Sequence, residues 1–240
     1  MPTMTSTARL ELVALDAPDI EGLAAFYTEL TGGDVVRRVP DWITVRLATG
    51  QEIGFQLAPD HVPPRWPGQE MPQQFHLDLL IDGHEEAAAR AVELGATRLA
   101  DGPSWITLAD PAGHPFDLCQ RDGVGPAIEL YAVTVDAPDA GRLARFYAEL
   151  LGVEIAYEGP EGALVPGGST SVMVQQIEGY RAPQWGDRSR PQQAHLDLLV
   201  DDLDAGEERA LALGAVRLDG GGETFRVFAD PAGHPFCLTV

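Results

Sequence analysis

The sequence of 240 residues predicts an α+β fold of two tandem domains, each built from strand–helix–three-strand units. Three motifs occur twice at corresponding positions: DPAGHPF at 110–116 and 230–236, HLDLL at 76–80 and 195–199, and APD with FY at 17–27 and 137–147. A repeat of this length is a duplicated domain and not a solenoid unit, because each copy can bury a core of its own. Glycines and charged residues near its centre predict a linker, which divides the chain into domain 1–122, linker 123–127 and domain 128–240.

The first unit of each domain is predicted from an apolar strand at 10–15 and a helix that follows it. The DAPD segment at 16–19 supplies an N-cap and a proline suited to the first helical turn. Apolar residues then recur at helical spacing, and Gly32 with Gly33 ends the helix. Three short strands are predicted after it, at 35–38, 42–47 and 53–57.

The second unit repeats this order. A strand is predicted at 75–81 and a helix at 85–94, and three strands follow at 97–100, 106–109 and 116–119. The second domain starts the same pattern again at Glu129. The short connections within each run of three strands favour antiparallel neighbours.

Composition excludes several classes of partner. A formal charge of −21 disfavours nucleic acids and anionic membranes, since both require basic surfaces. The sequence has no apolar run of about 18 residues, as a membrane span requires, and we expect no secretion signal in its first residues. Cys119 and Cys237 are not at equivalent repeat positions, which predicts a reducing compartment and a soluble, cytoplasmic protein.

The chain resembles the vicinal-oxygen-chelate superfamily, which includes glyoxalase I, bleomycin-resistance proteins and extradiol dioxygenases. The resemblance is carried by the PD…FY…LG helix at 138–152, the HLDL strand and the DPAG hairpin, and it covers both halves. It implies paired βαβββ modules whose sheets curve into an open, barrel-like cup around a ligand cavity. Two such units in one chain would form an internal pseudo-dimer, and the chain is expected to be a monomer of this kind or a homodimer.

Enzymes of this superfamily usually hold a divalent metal in the cup. The resemblance places the ligand positions of the first, fifth and last strands at Leu12 and Ala132, at His76 and His195, and at Asp117 and Cys237. The first-strand residues cannot bind metal, whereas a catalytic site needs about three protein ligands. We therefore expect no cofactor, with a divalent metal as the alternative.

Two histidine–aspartate pairs are the strongest candidates for a binding site. His76 and Asp78 are two residues apart on one strand and share a face, as do His195 and Asp197. Each pair, joined by Asp117 or Cys237 respectively, would make an unusual set of three ligands. The other interpretation is a polar cluster that satisfies its own hydrogen bonds inside a small barrel.

Further candidates come from matched residues in the two halves. Gln56 corresponds to Gln175, and Trp66 corresponds to Trp185. A tryptophan in the proline-rich loop at 58–73 could roof the cavity and stack on a flat ligand, or pack the loop onto its own domain. Trp42 and Trp105 are expected in the core or the cavity wall.

His114 and His234 occur in the repeated DPAGHP turn, and they are expected at the rim of a tight hairpin with a structural role. Taken together, the sequence predicts a protein that binds a small organic molecule in its cup, as in sequestration or resistance. The alternative is a metal-dependent lyase, isomerase or dioxygenase, and a third class is a structural or partner-binding module.

Overall fold

A computed structural model describes residues 7–184 and 190–240, where the chain forms sixteen strands and four helices in four βαβββ modules. The first module comprises β1 (Arg9–Ala17), α1 (Ile20–Thr31), β2 (Asp34–Val39), β3 (Trp42–Arg46) and β4 (Glu52–Leu57). The second comprises β5 (Phe75–Ile81), α2 (His84–Glu93), β6 (Thr97–Asp101), β7 (Trp105–Ala109) and β8 (Pro115–Gln120). The third comprises β9 (Glu129–Ala137), α3 (Ala140–Leu151), β10 (Tyr157–Gly159), β11 (Gly162–Val165) and β12 (Ser171–Gln176). The fourth comprises β13 (Ala194–Leu199), α4 (Leu203–Ala212), β14 (Val216–Gly221), β15 (Phe225–Ala229) and β16 (Pro235–Thr239).

Helix α1 forms for the local reasons that the sequence provides. The Asp19 carboxylate accepts a hydrogen bond from the backbone N–H of Gly22 at 2.9 Å and caps the helix. Gly32 ends the helix in the left-handed conformation, with φ of 67°. Phe26 and Tyr27, on the apolar face of this helix, are buried in the core.

The four modules assemble into two open eight-stranded sheets, and each sheet combines modules from both halves of the chain. Sheet A has the order β14-β15-β16-β13-β1-β4-β3-β2, and sheet B has the order β10-β11-β12-β9-β5-β8-β7-β6. The modules join through antiparallel pairs, β1 with β13 and β5 with β9. The α+β class, the paired βαβββ modules and the antiparallel runs of three strands are therefore confirmed, and in each module the fourth strand also pairs in parallel with the first.

Helices cover one face of each sheet and leave the other face open. Helix α1 packs on β3 and β4 and α4 on β15 and β16, while α2 and α3 pack on sheet B. We call the open face of sheet A cup A and that of sheet B cup B. The exchange of modules pairs each first strand with the histidine strand of the other half, so Leu12 lies opposite Asp197 and Ala132 opposite Asp78.

Two glutamines join the halves at the centre of the internal pseudo-dimer. The backbone N–H of Gln74 donates to Oε1 of Gln193 at 3.0 Å, and the backbone N–H of Gln193 donates to Oε1 of Gln74 at 3.0 Å. Their side-chain amides donate to the carbonyl oxygens of Pro191, at 2.7 Å, and Pro72, at 2.9 Å. We call this reciprocal set the glutamine clasp. It satisfies buried backbone groups of both halves at once.

The repeated DPAGHP turns are built around buried polar networks. Tyr27 donates its hydroxyl hydrogen to Asp110 at 3.0 Å, and Nδ1 of His114 lies 3.0 Å from the same carboxylate. The second half repeats the contact between Tyr147 and the corresponding aspartate at 2.8 Å. His114 and its counterpart are buried, so the expectation that they lie at the rim of the hairpin is wrong. The compact turn folds its histidine back onto the aspartate that begins it.

Among the helices of the described residues, none combines the length and the apolar character needed to cross a membrane.

Candidate functional site

Cup A encloses an open cavity of about 890 Å³ between the first and fourth modules. Its wall mixes apolar and polar side chains. The apolar part includes Leu12, Val36, Val39, Trp42, Leu57, Leu199, Phe225 and Val227. The polar part includes Arg37, Thr44, Gln56, His195, Asp197 and Cys237. An apolar wall with a few converging polar groups is typical of sites for small molecules, and the volume falls within their usual range of about 300–1,000 Å³.

Trp42 is the largest side chain in this wall, and its neighbours fix its position. The indole N–H donates to the hydroxyl of Thr44 at 2.8 Å. The ring lies across Gly54, where a Cβ atom would be 2.5 Å from Cζ2 of Trp42 and 3.2 Å from a methyl carbon of Leu12. Glycine at position 54 is therefore what allows the indole to lie against the sheet.

The inner end of cup A holds His195, Asp197 and Cys237, whose nearest ligand atoms all lie within 4.8 Å of one another. Nε2 of His195 is 3.5 Å from Oδ1 of Asp197, and the Cys237 thiol donates a hydrogen bond to the same carboxylate. Burial lowers the pKa of His195 to about 4 and raises that of Asp197 to about 7, with the Cys237 bond opposing the latter shift. Burial also raises the pKa of the Cys237 thiol. At neutral pH the imidazole and thiol are thus uncharged.

Cup B carries the first-half candidates in a different polar environment. Nε2 of His76 lies 3.8 Å from Asp78 and 4.0 Å from Asp117, and one ligand atom from each of these residues lies within 4.8 Å of the others. Thr134 donates its hydroxyl hydrogen to Asp78. Burial raises the pKa of Asp78, and the nearby His76 opposes that shift.

The amide of Gln73 fixes the orientation of the His76 ring. Its Nε2 atom donates to Nδ1 of His76 at 3.2 Å and to Asp136 at 3.2 Å. With Nδ1 accepting this bond, the ring proton of neutral His76 resides on Nε2, which faces the two cup carboxylates. Nδ1 of His195 in cup A has no hydrogen-bond partner among the described residues. The two histidines are therefore equivalent in position but not in environment.

The two cups also differ in their walls. The strand register makes Gly162 the counterpart of Trp42, Leu164 the counterpart of Thr44 and Met173 the counterpart of Gly54. Cup B thus lacks the tryptophan and the glycine beneath it. The duplicated strands kept their pairing while the faces toward the two cups diverged.

The structure brings most of the predicted site residues into the two cups. Gln56 lines cup A beside Trp42, and Gln175 occupies the equivalent register in sheet B, where its Oε1 atom is buried without a partner among the described residues. Trp66 is half-buried in the 58–73 loop and is not part of the cup A wall, whereas Trp185 lies outside the described residues.

The structure also shows where the two strand tryptophans lie, and it adds two residues to the wall of cup A that were not predicted. Trp42 is a wall residue, one of the two expected places. Trp105 is 39% exposed on β7, opposite Cys119, and is therefore outside the core, the other expected place. Arg37 and Glu11 reach the wall of cup A, which the sequence did not indicate. Each lies next to an irregularity in strand pairing, between Val35 and Arg37 and between Leu10 and Leu12, so simple alternation along the strand fails there.

Paired βαβββ modules around open cups, with a histidine at the start of the fifth strand, define a glyoxalase-like class of protein. The family model described as "Glyoxalase-like domain" matches residues 12–119 and again 132–239. The chain belongs to this family and carries two tandem copies of its domain.

Solved structures show the same fold at low sequence identity. Glyoxalase I from Zea mays is 18% identical, with a TM-score of 0.69 over 98% of this chain and 92% of that one. A putative dioxygenase from Bacillus subtilis is 12% identical, with a TM-score of 0.62 over 98% and 86% of the two chains. The cppA protein from Streptococcus pneumoniae is 13% identical, with a TM-score of 0.56 over 98% and 99%. A comparison with curated proteins finds no match.

Proposed function

We propose that this protein binds a small, flat organic molecule in cup A. The observation that carries the proposal is the cavity of about 890 Å³ whose wall contains Trp42, held in place by its hydrogen bond to Thr44. A fixed indole offers a stacking surface at little cost in side-chain entropy. Gln56 and His195 supply hydrogen-bonding groups near the ring, the latter with its ring centroid 6.0 Å from that of Trp42.

The protonation states of the cup fit the binding of a small molecule through hydrogen bonds, as in sequestration. The pKa of His195 is lowered by burial, so this imidazole is uncharged at neutral pH, and the raised pKa of Cys237 keeps its thiol protonated. A thiol in this state is a weak nucleophile, because the thiolate is the reactive form. The cup therefore presents hydrogen-bonding groups instead of an activated nucleophile.

Isothermal titration with flat aromatic compounds, beginning with 2-naphthol, tests this proposal. We expect binding in the micromolar range and a loss of about fivefold or more in affinity for Trp42→Ala, because stacking on an aromatic ring contributes roughly 1 kcal/mol. Trp105→Ala is the matched control, since this tryptophan is not part of the cup A wall. Equal affinity of Trp42→Ala and the unaltered protein, or a lack of binding by any flat compound, would contradict the proposal.

A second candidate function is a divalent-metal site in cup B, which would place the protein among metal-dependent lyases, isomerases or dioxygenases. The observation that favours it is the approach of His76, Asp78 and Asp117 to within 4.8 Å, with Thr134 and Gln73 orienting two of them. One imidazole and two carboxylates fit the ligand number of a catalytic metal site, and hydrogen-bonded supports of this kind are typical around such ligands.

A bound ion would supply Lewis-acid polarisation of substrate oxygens. The residues of the protein would orient the ligands. The ring proton of His76 would then lie on Nδ1, with the Gln73 amide turned so that its Oε1 accepts this proton, because Nε2 must be free to coordinate. In cup A, His195 and Cys237 with Asp197 form a corresponding but softer set. Leu12 and Ala132 contribute no donor atom to either cup, in agreement with the sequence.

Metal analysis of protein purified without chelator and without nickel affinity resin tests this second candidate. It predicts a stoichiometric divalent ion that is lost in His76→Ala and Asp117→Asn and retained in His84→Ala, whose histidine lies at the start of α2. Metal-free protein that also fails to bind added zinc, manganese or nickel in titration would contradict it.

A further inference from the structure

We infer that the ligand of cup A is a planar aromatic monoanion whose charged group pairs with Arg37. This inference rests on the function proposed for cup A and names the class of its ligand. It follows from three features of the wall: a guanidinium without a close ion pair to a described residue, its position beside the indole of Trp42, and acidic side chains elsewhere in the wall.

Arg37 differs from its neighbouring arginines in having no ion pair with any described residue. Arg38 pairs with Glu21 on α1, and Arg46 pairs with Glu52 at 2.7 Å. The charge of Arg37 lowers the pKa of Asp197 in the same wall, but the guanidinium makes no close ion pair with that carboxylate and is free to bind an anion. A guanidinium binds a planar carboxylate through paired hydrogen bonds, and such charge-assisted bonds are stronger than neutral ones.

Arg37 lies near the indole of Trp42, so one ligand can contact both side chains. Its Cζ atom is 6.0 Å from the centroid of the Trp42 ring, and both residues line the cavity. A flat ligand stacked on this indole would therefore bring a carboxylate attached to its ring, or one or two bonds from it, within reach of the flexible arginine. The counterpart of Arg37 in cup B is Tyr157, so this pairing is a property of cup A.

Acidic residues in the same wall limit the ligand to one negative charge. Glu11, Asp41, Asp197 and Asp219 also line the cavity, whereas the charge of Glu52 is compensated by Arg46. A second anionic group would lie near these carboxylates without a cation to meet it, and like charges repel strongly at short range. The wall thus selects against dianions and phosphorylated compounds.

Titration calorimetry with four naphthalene probes at pH 7.5 tests the inference: 2-naphthoate, neutral 2-naphthol, naphthalene-2,6-dicarboxylate and cationic 2-naphthylmethylamine. We expect 2-naphthoate to bind at least about tenfold more tightly than each of the others, since a charge-assisted hydrogen bond contributes about that factor. In Arg37→Gln the ratio of the 2-naphthoate and 2-naphthol affinities should fall to about one. Arg38→Gln is the matched control, and its ratio should equal that of the unaltered protein.

The outcomes separate this inference from the proposed function. Binding that depends on Trp42 but is equally tight for 2-naphthoate and 2-naphthol, or tightest for the amine, overturns the ligand class and leaves the binding function standing. An unchanged affinity ratio in Arg37→Gln does the same. Lack of Trp42-dependent binding for all four probes overturns both.

Discussion

At position 54 the absence of a side chain determines the shape of cup A. A Cβ atom there would lie 2.5 Å from the indole of Trp42, closer than non-bonded atoms tolerate, so the ring would have to move. Because the ring is also held by Thr44, the move would break the indole hydrogen bond. The sequence contains this glycine in an otherwise ordinary strand pattern, and only the structure shows what the glycine accommodates.

Gly54→Ala is therefore expected to disrupt ligand binding more than folding. Overpacking of this kind costs about 1–3 kcal/mol of stability, and displacement of the indole should reduce the affinity for flat aromatics to the level of Trp42→Ala. Calorimetry for binding and urea denaturation for stability measure the two effects. Gly68→Ala, in the loop after β4, is the control, and an unchanged affinity in Gly54→Ala would show that the indole is not the stacking surface.

Asp197 should make the free energy of unfolding fall as the pH rises. Burial raises its pKa from the ordinary value of 3.8 to about 7. The folded state thus binds this proton more tightly than the unfolded chain does. The contribution of Asp197 to the free energy of unfolding is therefore at its maximum below about pH 4 and is lost as the pH rises through about 7. Asp197→Asn removes this dependence.

Urea denaturation of Asp197→Asn and the unaltered protein at pH 4.5 and pH 8 measures the effect. We compare the free energy of unfolding of the variant with that of the unaltered protein at each pH. This difference should favour the variant by about 3 kcal/mol more at pH 8 than at pH 4.5, given 1.36 kcal/mol per pKa unit. Asp219→Asn, at an exposed position in the same cavity wall, should show little such difference. A difference of the opposite sign would show that the folded protein favours the Asp197 carboxylate.

At the level of elements, local sequence predicts the strands and helices well. The capping aspartate, the apolar spacing and the terminal glycine locate α1, and the strand predicted at 75–81 coincides with β5. The partners of the strands are harder to predict, because the four modules share one local pattern. From local sequence alone, β1 could pair with β5 of its own half or with β13 of the other half. The structure shows that it pairs with β13.

The glutamine clasp joins the two halves of the chain, and its contribution to the free energy of unfolding can be measured. Gln74→Ala leaves the backbone N–H of Gln193 and the carbonyl of Pro191 without these partners, which should cost about 1–3 kcal/mol of stability. Gln193→Ala should cost a similar amount, and the double variant less than the sum, since both single changes disrupt one network. Urea denaturation measures all three, with Gln56→Ala as the control. Additive effects would show that the two glutamines act independently.

At the scale of the whole molecule, the sequence predicts the candidate site in part. The HLDL repeat locates both histidine–aspartate pairs, and the register of the resemblance locates Asp117 and Cys237 near them. The wall of cup A is not predictable in the same way, because Leu12 and Trp42 come from one half and His195 from the other. Arg37 escapes prediction since an irregular strand pairing turns it toward the cavity.

Because each sheet takes one module from each half, neither half alone can complete a cup. Residues 1–122 on their own would expose β1 and β5, the strands that pair with β13 and β9 in the whole chain. Unpaired central strands with buried apolar residues favour association. A second copy can supply the missing partners, with β1 of one copy against β5 of the other, in the arrangement that the whole chain makes internally.

A fragment of residues 1–122 should therefore form a dimer of about the size of the whole chain, 25.7 kDa, or aggregate. Mixing it during refolding with residues 128–240 should produce a heterodimer that regains Trp42-dependent ligand binding. Light scattering after gel filtration measures the masses, and calorimetry measures the recovered site. A well-folded monomer of either fragment would contradict the dependence of each sheet on both halves, because eight-stranded pairing could then not be what stabilises the modules.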